Sequence, residues 1–153
     1  MTQDAKWMQR AFELAQEAKS QDEVPVGAVI VFEEQIIGEG WNQPISTNDP
    51  TAHAEIVALR DAGNNISNYR LSDATMYVTL EPCSMCASAI VHARLTKLVY
   101  AVKEPKAGAC GSVFNLLQTK QLNHQVEIEE GVMEEECRSL IQAFFKEKRA
   151  SQK

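Results

Sequence analysis

The chain has 153 residues, 44% of them apolar and 24% charged, with a net charge of −6. A chain of this length buries about 70% of its unfolded surface, enough for one core without staples, and the composition is far from that of disordered chains. No apolar run approaches the ~18 residues of a membrane span, and the start, MTQDAKWMQR, lacks the apolar block of a secretory signal; a single cytoplasmic domain over residues 1–153 is expected, its four cysteines being thiols or metal ligands.

Residues 4–19 show helical spacing at Trp7, Met8, Phe12 and Ala15. PVGAVIVF and IIGEGWN then read as two strands joined by a tight EEQ turn, an antiparallel hairpin. Asp49 and Pro50 have the character of a cap and a first helical position, which predicts a helix through AHAEIVALRDAG that stops at Gly63. ATMYVTL reads as a buried strand running into LEPCSMCASAI and a helix to about Ala93; KLVYAV is a further strand. The loop EPKAGACGS, a short helix near 113–118, the strand QVEIEE and a helix over about 133–148 complete the chain. Strands separated by helices pair in parallel, so the predicted fold is a three-layer α/β/α arrangement, a mixed five-stranded sheet with helices on both faces. In such folds ligands bind beyond the carboxyl ends of the strands, where the C-x-x-C falls.

Charge is unevenly distributed. EIEEGVMEEE holds six acids and no base, and so accounts for the whole excess; QAFFKEKRASQK, which includes Lys153, carries four bases against one acid. The net value argues against a general nucleic-acid binder, while the basic end suits either the negative pole of a helix or a local anion-facing patch.

Cys83 and Cys86 could be a redox dithiol, half of a structural zinc knot, or part of a catalytic metal site. On a helix, i and i+3 lie about 60° apart, so both can touch one ion, and the helix N-terminus favours their thiolates. A third ligand is needed to separate these readings. His92 and His124 have the setting of surface or capping residues, whereas His53 opens another helix, with Glu55 two residues on. Positions i and i+2 cannot share a face in mid-helix, yet at a terminus both can approach a site placed off its end. One His and two Cys leave a tetrahedral zinc with an open fourth position, the catalytic arrangement; Cys110 and Cys137 stand in no paired spacing. Two thiolates weaken the ion as a Lewis acid, and a carboxylate outside the ligand set, Glu55, would assist it.

His53-Ala-Glu55 with Pro82-Cys83-Ser-Met-Cys86 resembles the H-x-E and P-C-x-x-C signature of the zinc-dependent nucleobase deaminases. PVGAVIV, GWN, PTAHAEI, LEPCSMCASAIVHAR, KAGACGS, LNHQVEI and FFKEKR extend the likeness, over nearly the whole chain, to the bacterial tRNA-specific adenosine deaminases. The resemblance implies a cytidine deaminase-like fold and hydrolytic deamination of adenosine to inosine at wobble position 34 of a tRNA anticodon. By that likeness His53, Cys83 and Cys86 match the ligands of one Zn2+ per subunit. Zinc-activated water would attack C6, Glu55 would shuttle the proton, and ammonia would leave. Asn42 matches the contact to the flipped nucleoside, Lys106 a loop residue near the substrate backbone, and Phe144, Phe145, Lys148 and Arg149 the helix along the anticodon stem-loop. Glu104 stands where the family commonly has Asp, and its longer side chain would shift a contact to the sugar and backbone. The family also acts as a homodimer. The same motif would equally serve a free-base or nucleoside deaminase of guanine or cytosine type, while a zinc-binding interaction module or a thiol oxidoreductase would use the cysteines without Glu55.

Overall fold

The computed structural model describes residues 2–151, so Lys153 lies outside the described residues. Helix α1 (Gln3–Ser20) is capped by Thr2, whose hydroxyl accepts from the Ala5 amide. Strands β1 (Gly27–Phe32) and β2 (Gln35–Trp41) follow, joined by Glu33 and Glu34 alone. Both linking residues have positive φ, 50° and 63°, the geometry whose twist matches a two-residue hairpin; Gln35 therefore belongs to β2 and not to the turn.

The largest departure from expectation comes next. A single helical turn, α2 (Pro44–Thr47), precedes α3 (Ala54–Ile66), which begins later and ends later than its sequence suggests. Asp49 does not cap α3: its carboxylate accepts from the Thr51 amide (2.9 Å) and hydroxyl (2.7 Å), a local turn that competes with helix initiation. His53 is the N-cap instead, in extended conformation, and Ser67, left-handed, closes the far end. Then come β3 (Thr75–Leu80), α4 (Ser84–Ala93), β4 (Lys97–Val102), a 3₁₀ turn (Leu116–Gln118), β5 (Glu127–Glu130) and α5 (Glu134–Ser151).

The sheet order is β2-β1-β3-β4-β5, with β1 antiparallel to both neighbours and β3, β4 and β5 parallel. Successive strand residues face opposite layers. Ala28, Ile30, Met76, Val78, Leu98 and Tyr100 pack with Ala58 of α3 and Ile90 of α4, while Val29, Val31, Tyr77, Val99 and Ala101 pack with Met8 and Leu14 of α1 and Cys137 of α5. The β1 start, the β2 end and the carboxyl ends of β3 and β4 lie at one edge of this sandwich.

Small residues set how closely α3 approaches that edge. A Cβ on Gly38 would sit 2.6 Å from the Ala58 carbonyl oxygen, and one on Gly40 would sit 2.6 Å from the Ala58 amide and closer still to the Ala54 carbonyl. The match is periodic: two strand residues advance about 6.8 Å and four helical residues about 6.0 Å, so Gly38 and Gly40 meet Ala62, Ala58 and Ala54 in step. The fit fixes the start of α3, and with it His53 and Glu55. Gly40→Ala is expected to cost about 1–3 kcal/mol through overpacking. Urea unfolding checks this, and an unshifted midpoint at constant m-value would show that the contact is not tight.

Candidate metal centre and substrate cleft

Three donor atoms converge beyond the sheet edge. His53 Nδ1 lies 3.7 Å from Cys83 Sγ and 3.5 Å from Cys86 Sγ, and all three atoms lie within 4.8 Å of one another. Tetrahedral zinc, with Zn–S of ~2.3 Å and Zn–N of ~2.05 Å, sets sulfur and nitrogen ligands about 3.5 Å apart, so the donor set fits that ion. His53 and Cys83 are the N-caps of α3 and α4, both extended, so their side chains leave the helix ends instead of lying on a face. Cys86 is reached one turn into α4. Among the described residues no fourth His, Cys, Asp or Glu joins the group. Cys110, buried, turns its sulfur to the Pro82 carbonyl at 3.9 Å, and Cys137 is buried against the other face of the sheet. His92 is exposed, and His124 Nε2 lies 2.7 Å from the Leu95 carbonyl.

Protons distribute themselves accordingly. Hydrogen bonding from Cys86 and then from His53 brings the Cys83 thiol down to about 3, while the neighbouring Cys83 sulfur, with burial, pushes Cys86 far up. The bond to Cys83 raises His53. This is a cluster in which one site already carries negative charge and a second would if a cation shared it. Glu55 is 4% exposed and outside the donor group. Burial above all pushes its carboxyl up to about 7, and a dication alongside would pull that value back down.

Two further buried carboxylates, unnoticed in the sequence, tie down the neighbouring loops. Glu23, 1% exposed, accepts from the Ile45 amide (3.2 Å), the Ser46 amide (2.7 Å) and the Ser46 hydroxyl (2.6 Å), and so caps α2, which follows Asn42. Glu81, 2% exposed, accepts from the loop after β4. The available signals were Pro44 at a helix start, which marks α2, and an acid set among apolar residues beside a strand end, as in DEVPVG and TLEPC.

Asn42 is half-buried at the end of β2, its amide bonded to the Val26 carbonyl (3.1 Å). It lines a cleft of about 470 Å³ with Glu23, Pro44, Ile45, Phe144, Phe145, Lys148 and Arg149. The C-terminal quartet and Asn42 are thus brought together, though unequally. Phe144 is in the core and Phe145 is 42% exposed, their rings edge to face at 5.3 Å. Lys148 pairs with Asp22 at 2.5 Å, whereas Arg149 is exposed and has no such pairing among the described residues. Glu104 and Lys106 lie apart from this cleft: the Glu104 carboxylate accepts from the Lys106 amide at 3.0 Å, turned onto its own loop, and Lys106 is exposed. A larger cleft of about 790 Å³ beside Leu59, Arg60 and Tyr69 contains none of these residues.

A family model of MafB19-like deaminases matches residues 2–149. The chain is 50% identical to a tRNA-specific adenosine deaminase of Haemophilus influenzae, covering 98% of this chain and 87% of that protein. A solved structure from studies of A-to-I editing by tRNA:A34 deaminases at the wobble position of transfer RNA superposes with a TM-score of 0.85 at 38% identity, covering 88% of this chain and 98% of the other. A guanine deaminase from Bacillus subtilis superposes with a TM-score of 0.64 at 41% identity, covering 70% and 69% of the two chains.

The Glu23 cap carries a pH signature. Burial opposes its ionisation, but the bonds from Ser46 and Ile45 prevail and hold its pKa below the ordinary 4.5. Its stabilisation is therefore complete above that value and is lost as the pH falls through the lowered folded value. Wild type is expected to exceed Glu23→Gln in stability by about 1.5–3 kcal/mol at neutral pH, the gap closing in acid. Denaturation midpoints across pH check this; a gap independent of pH would contradict it.

Proposed function

The chain belongs to the MafB19-like deaminases, with tRNA-specific adenosine deaminases among its relatives, and from that membership we propose that it converts adenosine and water to inosine and ammonia at wobble position 34 of a tRNA anticodon. One observation carries the reading: three donors at tetrahedral spacing stand beside a buried carboxylate outside their group, at the same sheet edge as the cleft joining Asn42 to α5. His53, Cys83 and Cys86 would hold the zinc. When bound there, the ion supplies the Lewis acidity that makes water reactive near neutral pH.

The other steps belong to the chain's own groups. Glu55 takes one proton from the attacking water and delivers it to N1 of the adenine, then takes the second from the oxygen now bonded to C6 and gives it to the amine, which leaves as ammonia. Its burial keeps that proton from exchanging with bulk solvent. Asn42, with donor and acceptor on one amide, orients the extruded nucleoside. The exposed ring of Phe145 offers a stacking face, and Lys148 and Arg149 offer cations to the loop phosphates. Lys106 and Glu104 contact the backbone and sugar from the other side. A loop held this way needs few phosphate contacts, which reconciles the substrate with a net charge of −6.

A homodimer belongs to the same reading, each site completed by its partner. Exposed Tyr69, Val113 and Phe114 supply apolar surface that a second copy would cover. No helix among the described residues is long and apolar enough to cross a membrane, and the proposed reading places the enzyme with its tRNA in the cytoplasm. A guanine- or cytosine-type deaminase of the same fold would keep the metal cluster but has no physical use for the cleft along α5.

The test uses an anticodon stem-loop with adenosine at the wobble position, alongside free adenosine, guanine and cytidine, and reads inosine as an A-to-G change. Only the stem-loop should react. Glu55→Gln should keep its zinc and lose activity by about 10²- to 10⁴-fold. Turnover of a free base alone sinks the tRNA reading, and an active Glu55→Gln variant sinks the role of Glu55.

A further inference from the structure

We infer that Glu81 is a positioning residue, a clamp that fixes the loop of residues 103–112 against the segment bearing Cys83 and so sets where Glu104 and Lys106 meet the substrate; the substrate half of this inference rests on the reading above. Glu81 lies between the last residue of β3 and Pro82-Cys83, and at 2% exposure it is among the most buried charged side chains described. One oxygen accepts from the Glu104 amide at 3.0 Å and from the Ser112 hydroxyl, and the other accepts from the Cys110 amide at 3.0 Å and the Ser112 amide at 3.1 Å. The neighbouring backbone continues the lacing: the Glu81 amide donates to the Val102 carbonyl (2.8 Å), and the Ala109 amide to the Pro82 carbonyl (2.9 Å).

The arrangement is specific to a carboxylate. All four partners are donors, so an amide side chain of the same volume would turn its NH2 toward N–H groups and leave buried donors unsatisfied. The loop is also shaped to the clamp. A Cβ on Gly108 would come within 2.5 Å of a Glu81 carboxylate oxygen, so the chain crosses over the carboxylate only because that residue has no side chain. Glu104 is held at both ends, its amide by Glu81 and its carboxylate by the Lys106 amide. Glu81 thus holds Glu104 directly and Lys106 through the Glu104 carboxylate, so the clamp reaches both loop residues expected to face the substrate.

The experiment compares wild type, Glu81→Gln and Ser112→Ala as zinc-loaded full-length chains, following zinc content, residue-resolved amide exchange and steady-state kinetics on the wobble-adenosine stem-loop. In Glu81→Gln, exchange at Glu104, Cys110 and Ser112 should quicken at least about tenfold while β3 and β4 amides hold their protection. Zinc should stay at one per chain, and KM should rise about tenfold with kcat changed less than about threefold. Ser112→Ala, which removes one bond of the four and leaves the carboxylate, should shift both readings the same way by less. Unchanged exchange at the three amides overturns the clamp, as does zinc loss with KM unmoved, and quickened exchange with the kinetics intact overturns its role toward the substrate. Wild type inactive on the stem-loop would sink the wobble reading, and the exchange data would still judge the clamp.

Discussion

The structure depends on two helices that begin at one point in space. α3 and α4 descend on the same face of the sheet, and the residues that precede them, His53 and Cys83, are N-caps in extended conformation. The positive ends of both helix dipoles therefore face one small volume, which favours anionic sulfur and any group that brings negative charge there. Extended caps also resolve a geometric difficulty. On one helix face His53 and Glu55 would point about 200° apart, but with His53 off the end, its ring turns to the thiols while Glu55, in the first turn, is buried beside them.

That convergence needs close packing to hold it. The glycines of β2 let α3 lie against the strand backbone, and the alanines at every fourth position keep the contact in register over about two turns. The loops are braced differently, by buried carboxylates that gather backbone amides. Glu23 holds α2 beside Asn42, and Glu81 holds the loop after β4. Helix starts thus carry the metal donors, anchored loops carry Asn42, Glu104 and Lys106, and α5 carries the other residues proposed to read the substrate.

The order of elements along the chain was legible in the sequence because the strands are bounded by turn residues and because β1, β3 and β4 are apolar and buried along most of their length. The donor set was legible as well, since its residue types and spacing reflect coordination chemistry. What was hidden depends on short local turns and on contacts distant in sequence. The start of α3 was misplaced because Asp49 bonds Thr51 in a local turn that looks, in one dimension, like a cap. α2 was missed because four residues show no periodicity. Glu23 and Glu81 went unnoticed because only the folded chain puts amides around them. The acidic run near the C-terminus likewise proved to be partly spent on local partners: Glu129 on Lys97, Glu130 on Tyr100 and Lys103, and Glu134 on Arg138.

The central claim is an open tetrahedral site with three protein donors and one position left for water, and X-ray absorption at the zinc edge of the loaded protein tests it most directly. Two sulfur scatterers at ~2.3 Å and two nitrogen or oxygen scatterers at about 2.0–2.1 Å are expected. A shell of three or four sulfurs, with Cys110 recruited, would mean a closed structural site and would contradict it.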